Sequence, residues 1–401
     1  MMSGAGLVVV GASLAGLRAV EAARRAGYRG AITLVGEEAH LPYDRPPLSK
    51  AMLTGPVEAT YLASEENLVN DLAVDLRLDC AALGLDTSRR IVSSSDGEIR
   101  YERLIIATGS VPRTIPQGTG LQGVHTLRTL DHALEVRSAI GVGTRVVVVG
   151  AGFIGAEIAS SVCKRSASVT IVEAGAVPLV RAVGVSVGSA LAGLHTRNGV
   201  RLMLDTSIVE VNGDVSVKEV VVSTGERLPA DLLVVGIGAV PATAWLRSAG
   251  VELDPIDGAI ICDEYLQTSV PGVFAAGDAV NWPNRHFDAR MRLENWTNAA
   301  DQGMHAAINA VDPDQRQPYE TVPYFWSDWY GNRIQFAGAA AGNQASFVQG
   351  GPEDERFVAL FRSGSRVLGA ATLNQPRKIM KLRRLIQQGG TWDEAVALST
   401  T

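Results

Sequence analysis

Two short stretches of the chain have residue types and spacing suited to binding a dinucleotide. Residues 11–16 read GASLAG and residues 150–155 read GAGFIG, each between an apolar run and a helical pattern. The first glycine of such a motif allows a tight turn, the last lets the helix pack on the strand, and free helix N–H groups face a diphosphate. Ser13 replaces the middle glycine of the first copy and is small enough for close backbone approach. The candidate contacts are Gly11, Ser13, Gly16, Gly150, Gly152 and Gly155.

An acidic residue ends the second apolar run of each copy. Glu37 follows Ile32 to Val35, and Glu173 closes the run that begins near Ser168. A carboxylate here can bind ribose hydroxyls, and at Glu173 it would repel a 2′-phosphate, with no arginine among the next residues. Two such sites suggest one flavin and one nicotinamide, with NADH favoured over NADPH. The alternative is that Glu173 is a solvated strand end.

Residues 45–50, RPPLSK, place two cations beside a rigid pair of prolines. We expect Pro46 and Pro47 to fix an extended backbone that holds Arg45 and Lys50 next to the first nucleotide site. A cation at Lys50 would stabilise an anionic reduced flavin, and a nearby carboxylate could hold it. The alternative is that both cations are surface charges on a turn.

Further candidates follow buried strands. Thr108 and Gly109 end the run Leu104 to Ala107, and Asp278 follows the strand Val273 to Ala275, where it could bond a polyol or cap a helix. A helix within residues 292–311 has Trp296 at its start, and Arg128 lies where the chain could return to the flavin phosphates.

Composition excludes several classes of protein. The chain has 401 residues, a net charge of −6 and only three cysteines. Cys80, Cys163 and Cys262 form no C-x-x-C pair and no metal-ligand cluster, so we expect no metal site and no two-cysteine redox mechanism. The scattered thiols fit a reducing cytoplasm, and no apolar run is long enough for membrane insertion. The negative charge makes nucleic acid an unfavourable partner.

These elements predict an α/β protein with two tandem Rossmann-like dinucleotide-binding domains and a small C-terminal α+β domain. We expect the FAD-binding domain at residues 1–113 and 240–321, the NAD-binding domain at 114–239, and the interface domain at 322–401. The run Asp231 to Pro241 is interpreted as a closing strand, and Arg377 to Gln388 as the last helix. That helix has no acid between its basic residues, so it would bind an acidic partner or be a solvated face.

The chain resembles the oxygenase-coupled ferredoxin reductases of the glutathione-reductase-like flavoprotein superfamily. The resemblance covers nearly the whole chain through GASLAG, RPPLSK, ATGS-P, GAGFIGAE, VFAAGDA, ENW-NA-QG and PYFWSD. It implies that Glu157 faces Lys50 near the nicotinamide and that Trp326 lies close to the flavin ring. The implied FAD contacts are Ala15, Glu37, Lys50, Ala82, Arg128, Asp278 and Trp296, and the implied NAD contacts are Gly152 to Gly155, Glu173 and Gly238; Leu14, Phe153 and Ile154 are the remaining candidates in the two loops.

The expected function is electron transfer from NADH through FAD to a small acidic iron–sulfur ferredoxin or a rubredoxin that serves a P450 or a ring-hydroxylating oxygenase. The carrier is expected to dock near Trp326, Trp329 and the basic helix Arg377 to Arg384, on a monomer or weak dimer. Two alternatives stay open at this point: a peroxide-forming NADH oxidase, and a redox-controlled interaction flavoprotein.

Overall fold

A computed structural model describes residues 5–56, 58–340 and 345–400. It divides into two compact units, each built from three segments of the chain. The first unit comprises Met1–Asp44, Thr60–Val111 and Val240–Thr321, and the second comprises Arg45–Ala59, Pro112–Ala239 and Val322–Thr401. Residues 45–59, which the sequence-based bounds include in the first domain, group with the second unit.

The described strands, in chain order, are β1 (Gly6–Val10), β2 (Ile32–Val35), β3 (Val74–Arg77), β4 (Ala82–Asp86), β5 (Ile91–Ser94), β6 (Gly97–Ile106), β7 (Ser110–Pro112), β8 (Val124–Thr126), β9 (Arg145–Val149), β10 (Ser168–Val172), β11 (Arg201–Met203), β12 (Ile208–Gly213), β13 (Val217–Val222), β14 (Arg227–Pro229), β15 (Leu232–Val235), β16 (Ala239–Pro241), β17 (Ile260–Ile261), β18 (Val273–Ala275), β19 (Val280–Asn284), β20 (Ala289–Met291), β21 (Tyr324–Trp329), β22 (Asn332–Gly338), β23 (Ser346–Gln349), β24 (Phe357–Ser363) and β25 (Arg366–Leu373). The described α-helices are α1 (Leu14–Arg25), α2 (Ala51–Thr54), α3 (Leu130–Ala139), α4 (Phe153–Cys163), α5 (Val180–Arg197), α6 (Trp296–Val311), α7 (Pro376–Gln387) and α8 (Trp392–Thr400).

The first unit is organised around a largely parallel sheet in the order β3-β2-β1-β6-β5-β4, with β18 also pairing with β6. All five residues of β1 are buried, as expected for a strand covered on both faces. The register pairs Val10 with Val35 on one side and with Ile106 on the other. The carboxyl ends of β1, β2 and β6 therefore lie at one edge of the sheet, where α/β proteins bind their ligands.

Helices α1 and α6 of the first unit pack together through their smallest residues. A Cβ at Gly303 would lie 2.2 Å from the carbonyl oxygen of Ala15, so only glycine permits this approach. The predicted start of α6 at Trp296 agrees with the structure. The crossing fixes the N-terminal turn of α1 against the middle of α6.

The second unit contains a parallel sheet in the order β11-β10-β9-β15-β8 and an antiparallel sheet in the order β12-β13-β14. Helix α4 follows β9, in the same way that α1 follows β1. The long helix α5 has a non-helical residue at Gly184, where φ is 71°. Its C-terminal half carries the buried His195, whose ring stacks on that of Trp329.

Residues 322–401 of the second unit contribute a five-stranded antiparallel sheet in the order β21-β22-β25-β24-β23, followed by α7 and α8. Successive side chains of a strand point to opposite faces. Phe325, Ser327 and Trp329 of β21 therefore share one face, and Tyr324, Trp326 and Asp328 share the other.

Three expected elements differ in the structure. Pro46–Ser49 form a 3-10 helix rather than an extended segment, because proline also suits the first position of a helical turn. The run from Asp231 to Pro241 breaks into β15 and β16 around Gly238, whose φ is 96°. Helix α7 is not the last helix, since α8 follows it. No described helix has both the length and the apolar composition that crossing a membrane requires.

Candidate functional site

The first glycine loop is held tightly between β1 and α1. Gly11 has a φ of 119°, and a Cβ there would lie 2.1 Å from the carbonyl oxygen of Ala107. A Cβ at Gly16 would lie 1.9 Å from the Gly11 carbonyl oxygen, which explains the close packing of helix on strand. Ser13 occupies the N-cap position, and buried Leu14 and Ala15 begin the helix. The described first turn of α1 carries no acidic side chain, so nothing in it repels an anion.

Further candidate residues of the first unit lie at or next to the ends of its strands. Glu37 is exposed after β2, and Ala82 is the first residue of β4. The Asp278 carboxylate accepts a hydrogen bond from the Ser110 hydroxyl at 3.1 Å, just after β18. The Thr108 hydroxyl instead donates to the Ala242 carbonyl at 2.9 Å, next to Gly109 with its φ of 69°.

Trp296 and Gln302 are anchored on helix α6. The Trp296 indole N–H donates to the Asp44 carboxylate at 2.7 Å. The Gln302 amide oxygen accepts from the Gly277 N–H at 2.8 Å. The Gln302 amide nitrogen is buried and has no hydrogen-bond partner among the described residues. An unpaired buried donor beside the Gly277–Asp278 turn fits a bound group rich in acceptor oxygens.

The second glycine loop repeats this geometry in the second unit. Gly150 has a φ of 96°, and a Cβ there would lie 2.4 Å from the Gly236 carbonyl oxygen. A Cβ at Gly155 would lie 2.1 Å from the Gly150 carbonyl oxygen. Gly152 is the N-cap of α4, whose first residues are Phe153 and the exposed Ile154.

Glu173 is a structural part of the second loop. One carboxylate oxygen accepts from the Ala151 N–H at 2.7 Å, and the other accepts from the Gly175 N–H at 2.8 Å. The side chain therefore leans over the glycine loop, and each oxygen keeps a further lone pair for a ribose hydroxyl. Gly238 follows β15, and its carbonyl accepts from the Arg113 N–H at 2.9 Å.

The structure brings Lys50 and Glu157 together. Lys50 Nζ lies 2.7 Å from Glu157 Oε2 and also donates to the Pro46 carbonyl at 3.1 Å. Glu157 is only 4% exposed, on the second turn of α4. Arg45, at the start of the same 3-10 turn, donates to the Arg128 carbonyl at 2.6 Å. The helical turn of residues 46–49 thus presents both cations of the segment to partners within the second unit.

Two serines complete the surroundings of Glu157. The Ser49 hydroxyl donates to Oε2 at 2.5 Å, and the Ser327 hydroxyl donates to Oε1. Charge-assisted bonds of this kind offset the cost of burying a carboxylate. Sequence reasoning missed both serines, because their partner is far away along the chain. The available signal is that each serine lies within a recognised motif, Ser49 in PLSK and Ser327 in FWSD.

The two tryptophans of strand β21 differ in how deeply they are buried. Trp326 is half-buried, and the Arg333 guanidinium lies 5.4 Å from its ring centroid while pairing with Asp328 at 2.8 Å. Trp329 is fully buried, and its indole N–H donates to the Ser327 hydroxyl at 2.7 Å. The prediction that Trp329 belongs to a docking surface is therefore wrong, because the strand alternation turns it into the core.

The sequence analysis also did not single out His195. Its ring stacks on Trp329 with centroids 5.3 Å apart, and Nδ1 lies 2.8 Å from the Tyr330 hydroxyl. Burial lowers the pKa of His195 from 6.5 to about 4, so the ring is neutral at physiological pH. Burial likewise raises the pKa of the Tyr330 hydroxyl. Both groups therefore act as uncharged members of the core.

Two strand–glycine–helix loops, each with an acid at the end of the following strand, define an oxidoreductase that uses two dinucleotides. Residues 5–303 match the pyridine nucleotide-disulphide oxidoreductase family, and residues 324–400 match the reductase C-terminal family. The chain belongs to the pyridine nucleotide-disulphide oxidoreductase family. This membership confirms the predicted fold class and the predicted pair of cofactors, FAD and NAD(H).

Similar proteins include both an apoptosis-inducing factor and reductases of oxygenase systems. The chain is 35% identical to human apoptosis-inducing factor 3 over 96% of its own length, but spans only 64% of that protein. It is 34% identical to the ferredoxin–NAD(+) reductase subunit of a benzene 1,2-dioxygenase system from Pseudomonas putida, over 95% of this chain and 92% of that subunit. A covalent putidaredoxin reductase–putidaredoxin complex contains a chain that superimposes with a TM-score of 0.91 at 29% identity, over 100% of both chains. The predicted resemblance to oxygenase-coupled ferredoxin reductases is thereby confirmed.

Proposed function

We propose that this protein is an NADH-dependent ferredoxin reductase. In this reaction NADH reduces FAD, and the electrons pass on to a small acidic iron–sulfur ferredoxin, or a rubredoxin, that serves a P450 or ring-hydroxylating oxygenase. Bound FAD supplies the conversion of a two-electron donor into single electrons, and the protein supplies binding and orientation. The similarity to reductase components of oxygenase systems supports this proposal.

The observation that carries the proposal is the Lys50–Glu157 ion pair at 2.7 Å in a segment without cysteine. A relay through a disulfide needs two neighbouring thiols, and the RPPLSK segment offers a cation instead. A fixed ammonium favours an anionic reduced ring, because it stabilises the negative charge that reduction creates. We therefore assign Lys50 the role of electrostatic stabiliser and Glu157 the role of holding it.

The remaining site residues keep the roles that the sequence suggests, as proposals. Glu37 and Glu173 bind the ribose hydroxyls of FAD and NADH, and Trp326 lies close to the flavin ring. Preference for NADH follows because the Glu173 carboxylate repels a 2′-phosphate. The other proposed cofactor contacts are the two glycine loops with Leu14, Ala15, Phe153 and Ile154, and Arg45, Ala82, Thr108, Gly109, Arg128, Gly238, Asp278 and Trp296.

The docking surface for the carrier is proposed on the outer face of α7. Arg377, Lys381 and Arg384 are exposed at helical spacing, with Met380, 47% exposed, between them. The other two cations turn inward: Lys378 bonds the Ser399 carbonyl at 2.5 Å, and Arg383 bonds the Val322 carbonyl at 3.2 Å. Three exposed cations around one apolar side chain suit an acidic partner, because charge steers the encounter and the apolar centre adds contact area.

We also propose the division of the chain into an FAD-binding part at 1–113 and 240–321, an NAD-binding part at 114–239 and an interface part at 322–401. The compact units differ from this division in two ways: residues 45–59 group with the second unit, and that unit joins the NAD-binding part to the interface part. A cytoplasmic location and a monomer or weak dimer complete the proposal.

A redox-controlled interaction protein is the second candidate, supported by the similarity to human apoptosis-inducing factor 3. It would accumulate a long-lived complex of reduced protein and NAD(+) instead of turning over. A peroxide-forming NADH oxidase would instead pass its electrons to dioxygen.

The test is NADH-driven cytochrome c reduction by the purified protein, with and without each of a panel of acidic ferredoxins, while peroxide is followed. We expect one ferredoxin to raise the rate many-fold with little peroxide formed. NADH consumption that matches peroxide, or a stable reduced complex unaffected by any carrier, would overturn the reductase assignment. The variant Arg377→Glu/Lys381→Glu should weaken the ferredoxin dependence and leave NADH reduction of the flavin unchanged.

A further inference from the structure

The two oxygens of the buried Glu157 carboxylate have separate partners. Oε2 faces Lys50 at 2.7 Å and Ser49 at 2.5 Å, whereas Oε1 accepts from Ser327. A carboxylate can pivot about its Cγ–Cδ bond unless both oxygens are held. The bond from Ser327 therefore fixes the rotation of the carboxylate about this bond, so that its other oxygen stays directed at Lys50.

The direction of the Ser327 hydrogen bond is fixed by its neighbour Trp329. An indole N–H can only donate, and it lies 2.7 Å from the Ser327 oxygen. The hydroxyl must accept this bond, which directs its single hydrogen to the Glu157 carboxylate. Both serine and tryptophan are fully buried, so water does not compete for either group.

Trp329 is itself immobilised. Its ring packs against Phe153 at 6.2 Å and stacks on His195 at 5.3 Å. Ser327 and Trp329 are two residues apart on β21 and point to the same face of the strand. The strand thus holds a rigid donor chain that ends on Glu157.

We propose that Ser327 is a positioning residue: its hydroxyl, oriented by the Trp329 indole, holds the Glu157 carboxylate so that the other oxygen faces Lys50. The inference rests on the proposed function, since it concerns the ammonium assigned to the flavin. It adds to that function a contribution from the C-terminal part of the chain, made through a hydrogen bond that orients the carboxylate.

The direct readout is the acetylation rate of Lys50 in the full-length protein, measured by peptide mass spectrometry at pH 8. Lys50 should react slowly in the wild type, because its Nζ is held against Glu157 and the Pro46 carbonyl, where the reagent has little access to it. We expect Ser327→Ala to raise the Lys50 rate about threefold or more, since loss of a bond to a charged group weakens the network. Ser327→Thr keeps the hydroxyl and should restore the slow rate. Trp329→Phe keeps an aromatic ring but removes the orienting N–H, and should give a smaller increase in the same direction.

Ser160→Ala is the matched control. Ser160 is equally buried on the same helix as Glu157, but its hydroxyl accepts from the Tyr330 N–H at 2.7 Å rather than touching the carboxylate. It should leave Lys50 reactivity at the wild-type value. An unchanged or lower Lys50 rate in Ser327→Ala, or an equal increase in Ser160→Ala, would overturn the proposal.

A second readout is the rate of flavin reduction by NADH in single turnover. Ser327→Ala should slow it with little change in the dissociation constant for NADH, and Ser327→Thr should recover it. The two readouts separate two failures. A wild-type protein whose flavin NADH does not reduce would contradict the proposed function, whereas Lys50 acetylation uses neither NADH nor a carrier and still tests Ser327.

Discussion

The two glycine loops of this protein have nearly the same backbone constraints and different surroundings. The first glycines, Gly11 and Gly150, both have positive φ and lie against a carbonyl oxygen of a neighbouring strand end. The last glycines, Gly16 and Gly155, both lie against the carbonyl of the first. In both loops, therefore, the first and the last positions require glycine for steric reasons.

The loops differ at three other positions. Ser13 and Gly152 have φ of −110° and −69°, which any residue adopts, so the middle position tolerates a serine. Glu37 is exposed, whereas both oxygens of Glu173 accept backbone N–H groups. Two residues after the last glycine, the first loop has Arg18, paired with Glu21 at 2.7 Å, and the second has the buried Glu157. The same loop is thus followed by a half-buried ion pair in one unit, and by the buried acid that holds the Lys50 ammonium in the other.

The shared geometry is tested by adding one methyl group at the first glycine of each loop and at the middle glycine of the second loop. Gly11→Ala and Gly150→Ala should each destabilise the protein by about 3 kcal/mol or more, because the new Cβ meets a carbonyl at a positive φ. Gly152→Ala should cost well under about 1 kcal/mol, since a Cβ there would lie 3.9 Å from the Gly236 carbonyl oxygen, an ordinary van der Waals contact. Urea unfolding of the three variants measures this. Equal losses at Gly150 and Gly152 would contradict the distinction between first and middle glycines.

Lowering the pH should lower the free energy of unfolding through His195, which lies in the second unit. Its pKa is lowered by burial from 6.5 to about 4, so the unfolded chain binds a proton that the folded chain excludes. Stability should therefore fall as the pH drops from about 6.5 to about 4 and level off below, by up to about 3 kcal/mol. The measurement is the free energy of unfolding against pH for wild type and His195→Gln. A slope unchanged in the variant would remove His195 from the explanation.

Lys50→Met removes the cation that pairs with Glu157 and so tests what this buried acid contributes in the second loop. We expect flavin reduction by NADH to slow by about tenfold or more, equivalent to about 1.4 kcal/mol, because the developing negative charge loses its ammonium. FAD retention should change much less. Arg18→Met removes a cation at the corresponding region of the first unit and should leave the reduction rate unaltered. Stopped-flow absorbance of the flavin gives both rates, and unchanged kinetics in Lys50→Met would refute its role.

The smallest expected effect concerns the two acids. Glu173→Gln should reduce the preference for NADH over NADPH by about fivefold, because the repulsion of a 2′-phosphate is lost. Glu37→Gln should instead weaken FAD binding and leave that ratio unaltered. The ratio of kcat/KM for the two nucleotides is the measurement. A similar change in ratio for both variants would show that the acids are not assigned to different nucleotides.

Local sequence was sufficient for elements whose causes are local. Both loops, β2 and β18 agree with expectation, since apolar runs and glycines determine them. The extended backbone predicted at Pro46 and Pro47 was wrong, because proline fits an extended strand and a first helical turn equally. The burial of Trp329 depends on which face of β21 meets α4, and a strand sequence with aromatic residues on both faces does not specify it. Ser49 and Ser327 were missed for a related reason: their partner is set by tertiary packing.

The close approach of Gly303 to Ala15 also constrains how the chain is made. Helix α1 and strand β1 are synthesised well before α6 and before β18, the partner of β6, which lie beyond residue 270. The first unit therefore cannot complete its core until the whole 112–239 segment has been synthesised. Once β15 has been made, the parallel sheet β11-β10-β9-β15-β8 has all its strands, whereas the sheet around β1 still lacks β18, so the former can fold ahead of the latter. The sheet whose first strand is synthesised earlier is thus the one whose last strand becomes available later.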